Sequence, residues 1–392
     1  MFLSTSFKYR YRYFLCPFVL LLLTACDSGN SDTPIVDGKY FIAINFTGAG
    51  TGVVTIPEIG LTCTESCSQG ALSGATLTFT LTAAATPPNV FAGWSGDAAC
   101  QNGEITLSSG SSSLACDAQF DVIAAPTITS VDYPVIAHGG ALTISGFNFS
   151  NATSVSINQT PITNYSIDSD SVISISALDG TVPVGIDVPV QVVTDVASNS
   201  FPISVIHLAI NEVDPSTPAI SGGAADAYEF VELSTGVAAQ TSLSGYTLVF
   251  WNGGVGEAYQ IFDLGGNTTT DANGLYVIGS QYLSVPATIE FASTGIIQAG
   301  EDAIAIYQGN VTLNQSFTIS GVIDAIVYES NNDLNTTVLY PLMTDSPTVV
   351  IDEGATVVDR EAVSIVRCNS ALRSAASFAL LAPTPGATNS CV

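Results

Sequence analysis

Positive charge is what this sequence has least of. Its 392 residues include seven Lys and Arg against 34 Asp and Glu, a formal charge of −27. Between Tyr40 and Asp359 there is no Lys or Arg at all. Such a surface cannot neutralise phosphates or release counterions, which excludes nucleic acid as a partner. Docking of the folded part on anionic lipid headgroups is disfavoured for the same reason. Histidine is nearly as scarce, with only His138 and His207. A Ser or Cys nucleophile generally needs a base, and neither histidine stands beside a nucleophile motif. Gly93-Trp94-Ser95-Gly96-Asp97 approaches the Gly-x-Ser-x-Gly elbow, but Asp97 takes the last glycine position and no helix follows. Gly48-x-Gly50-x-Gly52 lies between two strands, without the helix that would hold a phosphate, and reads as a turn. Two tryptophans, Trp94 and Trp251, are few for an aromatic-lined substrate cleft. Long helical periodicity is missing as well. The apolar run Phe14–Leu23 has ten residues and is interrupted by Pro17, well short of the ~20 that a membrane span needs.

What is present is apolar and alternating. The chain is 47% hydrophobic with a mean hydropathy of +0.42, so despite its charge it has a core to bury and is not a disordered acidic chain. Tyr40–Phe46, Thr76–Thr82 and Ser171–Ser176 repeat with period two and are rich in Thr, Val, Ile and Phe. Gly, Asn, Asp and Pro clusters separate such runs. This pattern predicts an all-β chain of β-sandwich modules in series.

The N-terminus carries Lys8, Arg10 and Arg12, then the apolar run, then Leu23-Thr24-Ala25-Cys26. This resembles the signal peptide and lipobox of a bacterial lipoprotein. The resemblance implies cleavage after residue 25 and a lipid anchor on Cys26, with residues 26–38 as a polar tether. Four basic residues then remain, Lys39, Arg360, Arg367 and Arg373, against all 34 acidic ones, a formal charge of −30. The expected location is the cell envelope, at the outer membrane on its periplasmic or surface face. Asp27 keeps the inner membrane in play, because in enterobacterial lipoproteins an Asp there accompanies inner-membrane retention.

Six cysteines remain after Cys16 and Cys26 are set aside: Cys63, Cys67, Cys100, Cys116, Cys368 and Cys391. An even number in an exported chain reads as three disulfides. Cys368 with Cys391 forms the C-terminal pair; among the other four, Cys63–Cys67 and Cys100–Cys116 are favoured and the pairing stays open. A four-cysteine zinc site would use two close pairs, whereas Cys100 and Cys116 are sixteen apart.

Three segments resemble known modules. Residues 39–122, with Gly48-Ala49-Gly50-Thr51-Gly52, Cys63-x3-Cys67 and Phe91-Ala92-Gly93-Trp94, are similar to a bacterial surface repeat of the internalin B-repeat type, in which Trp94 would plug the small core. Residues 125–206, with Ala125-Pro126, His138-Gly139-Gly140 and Gly146-Phe147-Asn148-Phe149, resemble an IPT/TIG domain of immunoglobulin-like fold. Residues 207–392 resemble a lamin-tail-like domain. Its carriers are Asn211-Glu212-Val213-Asp214, Tyr228-Glu229-Phe230-Val231-Glu232-Leu233, Leu243-Ser244-Gly245-Tyr246 and Pro383-Thr384-Pro385-Gly386. Extra length is expected in the loops around 251–271 and 329–360. Modules of these kinds imply adhesion, spacing and interaction.

Carboxylates are the only reactive groups in quantity. One cluster is Asn211, Glu212, Asp214, Asp226, Glu229 and Glu232. Glu212 and Asp214 share a strand face, and Glu229 and Glu232 lie on opposite faces. A second is Glu329, Asn331, Asn332, Asp333 and Asn335. Oxygen-only ligands suit Ca²⁺, with Glu212, Asp214, Glu229 and Glu232 as its candidate ligands; the bland alternative is solvated surface acid. Asp271-x-Asn273-Gly274 echoes a calcium loop but lacks the downstream Glu. No cofactor is required. Trp251, at a strand end before Asn252-Gly253-Gly254, reads as a core or rim residue, with an exposed stacking platform as the alternative. The reading is a non-enzymatic, lipid-anchored binding, adhesion or structural protein with an unknown protein or glycan partner. The competing reading is a calcium-dependent or carboxylate-based polysaccharide hydrolase working through Glu229 and Glu232.

Overall fold

The computed structural model describes residues 39–73, 76–108, 113–330, 338–345, 350–354 and 356–391. The signal segment, Cys26, Asp27 and the tether fall outside the described residues, as do Asn331, Asn332, Asp333 and Asn335. The protein is all-β. The one α-helix among the described elements is the four-residue turn Val357–Arg360. The described residues form two compact units, one within 39–47, 52–84 and 92–119 and the other within 48–51, 85–91 and 120–391.

In the first unit the predicted alternation becomes burial directly. Gly52–Ile56 turns Val54 and Ile56 inward and leaves Val53 and Thr55 half-exposed. Thr76–Thr80 pairs antiparallel with Glu104–Ser108, and Phe79, Ile105 and Leu107 are buried there. Lys39–Thr47 runs antiparallel to Cys67–Ser73 and parallel to Leu114–Val122. Cys63 is bonded to Cys67 and Cys100 to Cys116. Trp94 is half-buried, and its indole nitrogen lies 3.4 Å from where a Cβ on Gly103 would sit.

The second unit holds two sandwiches. The middle one packs a four-stranded sheet (Thr127–Val131, Leu142–Phe147, Val172–Ile175, Tyr165–Ser169) on a five-stranded sheet (Val135–Ala137, Phe201–Ile206, Gly185–Val193, Ser154–Ile157, Thr160–Ile162). Ile144, Phe149, Val155, Ile173, Val190 and Val205 fill the space between them. Its strands alternate as half-buried strands should, Leu142, Ile144 and Gly146 inward.

The C-terminal sandwich has a six-stranded sheet in the order Ile289–Glu290, Leu275–Gly279, Phe230–Ser234, Ala209–Asp214, Ser364–Arg367, Phe378–Leu381. The facing sheet runs Glu257–Asp263, Tyr246–Asn252, Asp302–Gln308, Val322–Glu329, Ile351–Asp352. Val231, Leu233, Leu248, Phe250, Ile304 and Ile326 lie in the core between them. The second sheet is covered on its other side too, where Trp251, Ala303, Tyr307 and Val327 pack with Leu339, Leu342 and Met343. Burial on both faces explains the unbroken apolar run Leu248–Trp251, since a strand with two dry faces has no need to alternate.

The expected boundary at residues 206 and 207 is a packed junction. Ala137 and Ile206 belong to the large C-terminal core. The fully buried Tyr246 accepts the Ala137 N–H at 2.8 Å and donates to the Val135 carbonyl at 3.2 Å. Gln308 pairs with both backbone groups of Ala141, at 2.7 Å each. Bonds of this kind, one set buried and one at the surface, hold the two sandwiches in one relative geometry.

A candidate carboxylate site in the C-terminal sandwich

The strand pair Ala209–Asp214 and Phe230–Ser234 places Glu212 directly opposite Glu232. Like charges opposed across a ladder are destabilising unless donors compensate, and both side chains are fully buried. The donors come from the last residues of the chain. Glu212 accepts from the Ser364 hydroxyl at 2.5 Å, the Thr384 N–H at 2.8 Å and the Thr384 hydroxyl at 2.9 Å. Glu232 accepts from Asn211 Nδ2 and from the Gly386 N–H, each at 2.6 Å. Asn389 donates to the Asn211 and Arg367 carbonyls at 3.1 and 2.9 Å, and Cys368 is bonded to Cys391. Pro383–Asn389 is thus clamped by carboxylates from two strands more than 150 residues away in sequence.

Glu229 faces elsewhere, accepting the N–H groups of Ile296 and Ile297 at 2.8 and 3.2 Å. Burial pushes its carboxyl up to about 8, those bonds opposing the shift, and burial lifts Glu232 to about 7 against its own donors. Asp214 is held well above the ordinary carboxylate range by burial, then by Glu212, Glu229 and Asp226. Glu353, 1% exposed and without a hydrogen-bond partner on either oxygen, is raised to about 10 by burial and by Asp214. The four acidic residues considered for Ca²⁺ therefore face separate partners, and three of them already accept protein hydrogen bonds. Among the described residues no group of three or more His, Cys, Asp or Glu side chains is arranged to hold a metal ion. Asp271, of the calcium-loop echo, accepts from the Asn273 and Leu275 N–H groups and closes a turn.

Trp251 requires a correction. It is fully buried, in ring contact with Tyr307 and Phe317 at 5.9 Å each, so it offers no face to a sugar. Both sides of its strand are covered, and the Asn252-Gly253-Gly254 turn does not expose it.

Sequence reasoning missed two features. Arg367 forms a buried ion pair with Asp324 at 2.5 Å, donates to the Ile210 carbonyl at 2.6 Å and stacks over Phe378. Arginine scarcity was the available signal, and Arg373 likewise donates to the Leu342 and Pro341 carbonyls. The second feature is the meeting of the only two histidines, Nδ1 to Nδ1 at 3.3 Å, beside a cavity of about 600 Å³ that Ser370 and Leu372 also line. His138 Nε2 donates to the Val182 carbonyl at 2.8 Å, which leaves its Nδ1 to accept from His207. Burial, then His138 and Arg367, lower the His207 pKa.

No protein-family model matches the chain, and no curated protein matches it in sequence. Among solved structures it is similar to a DUF4876 family protein from Bacteroides thetaiotaomicron, at 10% identity over 84% of this chain and 86% of that one, with a TM-score of 0.29. It is also similar to SGBP-B of the Bacteroides ovatus mixed-linkage glucan utilization locus, in complex with a mixed-linkage heptasaccharide, at 14% identity over 67% and 62% with a TM-score of 0.20. SGBP-B from a complex xyloglucan utilization locus in Bacteroides uniformis gives 11% identity over 65% and 80%, with a TM-score of 0.24. Likenesses this distant carry no argument about ligand or activity.

Proposed function

We propose that this chain is a lipid-anchored envelope protein that binds a partner rather than transforming one, with Cys26 as its anchor and its three modules of the B-repeat, IPT/TIG and lamin-tail types. The observation that carries this reading is the use made of Glu212 and Glu232. The strand ladder sets these two carboxylates opposite each other, yet their oxygens accept from Ser364, Thr384, Asn211 and Gly386. Glu229 engages a different loop altogether. A carboxylate pair committed to the chain's own backbone cannot also flank a glycosidic bond and a water. The packed junction between the middle and C-terminal sandwiches further favours a presentation role, because it holds their loops in fixed relation.

The test uses whole cells. Cys26→Ser should move the protein from the membrane to the soluble fraction and abolish its labelling by a fatty-acid analogue. A protease that does not require Lys or Arg, applied to intact cells, separates a surface from a periplasmic face. Crosslinking the intact chain in the same cells should capture an envelope partner, and deletion of residues 207–392 should lose it. Full capture by the deleted chain would contradict the assignment of binding to the C-terminal sandwich. Hydrolysis of a polysaccharide panel that vanishes in Glu229→Gln or Glu232→Gln would contradict the reading as a whole.

A further inference from the structure

The two histidines meet where the middle and C-terminal sandwiches join. His138 follows the strand Val135–Ala137, and His207 lies between Phe201–Ile206 and Ala209–Asp214. Both backbones are pinned. The His138 N–H donates to the Ile206 carbonyl at 3.0 Å, and the His207 N–H to the Thr235 carbonyl at 2.8 Å. Any change in the pair therefore falls on the side chains.

Counting protons fixes the neutral arrangement. A carbonyl only accepts, so His138 Nε2, 2.8 Å from the Val182 carbonyl, carries the proton of that ring and its Nδ1 is a lone pair. His207 must then supply the proton between the two Nδ1 atoms, which are 3.3 Å apart. This leaves His207 Nε2 as a lone pair. It is buried and makes no hydrogen bond, although the Ser370 backbone is near. A further proton has two places to go. On His138 Nδ1 it sets N–H against N–H and removes the acceptor that makes the contact. On His207 Nε2 it creates a buried cation with no acceptor of its own, which is costly. Neither fits the rings as they stand.

The surroundings add to the strain on a charged pair. Arg367, on the strand Ser364–Arg367, acts on His207 as another positive charge and is itself committed to Asp324. Asp179, in the connection after Val172–Ile175, acts on His138 but is exposed and accepts from the Thr181 N–H. Burial, then His138 and Arg367, lower the His207 pKa from 6.5. Such a group contributes stability that is complete above 6.5 and is lost as pH falls below it. Both histidines also line the cavity of about 600 Å³, together with Leu178, Val182, Ser370 and Leu372. A ring that leaves the contact has room to turn.

We propose that the histidine pair is a proton-operated latch on this cavity, closed while both rings are neutral and open once a proton enters and the rings part. The proposal stands apart from the reading of the chain as a binding protein. Tyr246, whose pKa burial raises, and the Gln308 amide do not titrate in acid, so the sandwiches stay joined and the opening is confined to the cavity wall.

The test is long-range proton–nitrogen NMR of the imidazoles in the intact chain in detergent, titrated from about pH 8 to about pH 5, the range in which histidine changes charge. With only two histidines in the sequence, each ring is read singly. At the alkaline end His138 should carry its proton on Nε2 and His207 on Nδ1. On acidification His207 should take up its proton below 6.5. The His138 Nε2 proton, held by the Val182 carbonyl, should begin to exchange with water in the same step. His138→Gln should move the His207 midpoint upward. His207→Gln, whose amide can face His138 Nδ1 without titrating, should abolish the acid-induced exchange. The opposite tautomer on either ring, titration of His207 at or above 6.5, or acid-induced exchange that survives His207→Gln would overturn the proposal.

Discussion

In the middle sandwich, Asp168 on the strand Tyr165–Ser169 and Asp170 and Asp179 in the connections are exposed. Asp168 accepts from Ser174 and Ser166, Asp170 from Ser150, and Asp179 from the Thr181 N–H. These bonds hold all three carboxyls below their usual range. In the C-terminal sandwich, Glu229, Glu232 and Glu353 are buried, and burial drives each of them up, to about 8, 7 and 10. Both sets use side chains of one chemistry. On the surface the charged form is favoured and closes local turns. In the interior the same group spans strands far apart in sequence, at the cost of a desolvated charge or a retained proton. A net charge of −27 therefore overstates how much of the acid in this protein serves solubility.

The largest effect that would sharpen this contrast is at Asp324. Removing it as Asp324→Ala strands Arg367, 7% exposed, without its partner, and breaking a buried pair from one side costs roughly 3–5 kcal/mol. Asp168→Ala in the middle sandwich should leave the denaturant midpoint nearly where it was. Comparable losses in the two variants would erase the distinction.

Next comes pH. The Glu353 carboxyl titrates near 4.5 when exposed and near 10 in the fold, so between those values the unfolded chain gives up a proton that the native state keeps. Its ionisation adds no penalty below about pH 4.5, and stability falls as pH rises through the window toward 10. Glu353→Gln should flatten that slope, so that the variant gains on the unaltered protein as pH rises from 5 to 8. Urea unfolding of both proteins at pH 5 and pH 8 measures it; parallel pH profiles would show that Glu353 is ionised in the fold. Asp170 carries the opposite sign: its lowered pKa makes its contribution complete above about 3.8 and lost on acidification, so Asp170→Asn should matter little at neutral pH.

A smaller effect is expected at the clamp. Glu232→Gln keeps the Asn211 neighbour but weakens the charge-assisted bond to the Gly386 N–H, by about 1–2 kcal/mol. Hydrogen exchange at Gly386 and Thr384 should accelerate while strand amides such as Val231 keep their protection. The smallest is calcium: with Glu212, Glu229 and Glu232 already accepting protein hydrogen bonds, melting with Ca²⁺ and with chelator should coincide. A rise with Ca²⁺ would show an ion bound to the native state.

The β character of this chain was legible in runs such as Thr76–Thr80, because period-two alternation reports one buried face per strand. The separation of Glu229 from Glu232 has another origin than the expected pleating, since Glu229 lies just outside the strand Phe230–Ser234. What could not be read was anything set by long-range pairing. Glu212 looks like any acid of an acidic protein until Thr384, 172 residues on, supplies its donors. Trp251 followed a turn signal, and only the cover of Leu339 and Leu342 on the second face makes it core. The Tyr246 anchor and the histidine contact likewise depend on how two sandwiches meet, which no local pattern encodes.

The central claim, that Glu229, Glu232 and Glu353 of the C-terminal sandwich are interior groups while Asp168, Asp170 and Asp179 of the middle sandwich are surface groups, is tested most directly by carbon-detected NMR titration of the side-chain carboxyls. Glu229 and Glu232 should titrate near 8 and 7, with Asp168 and Asp170 below their usual range. Titration of both sets together near the ordinary carboxylate value of about 4 would contradict it.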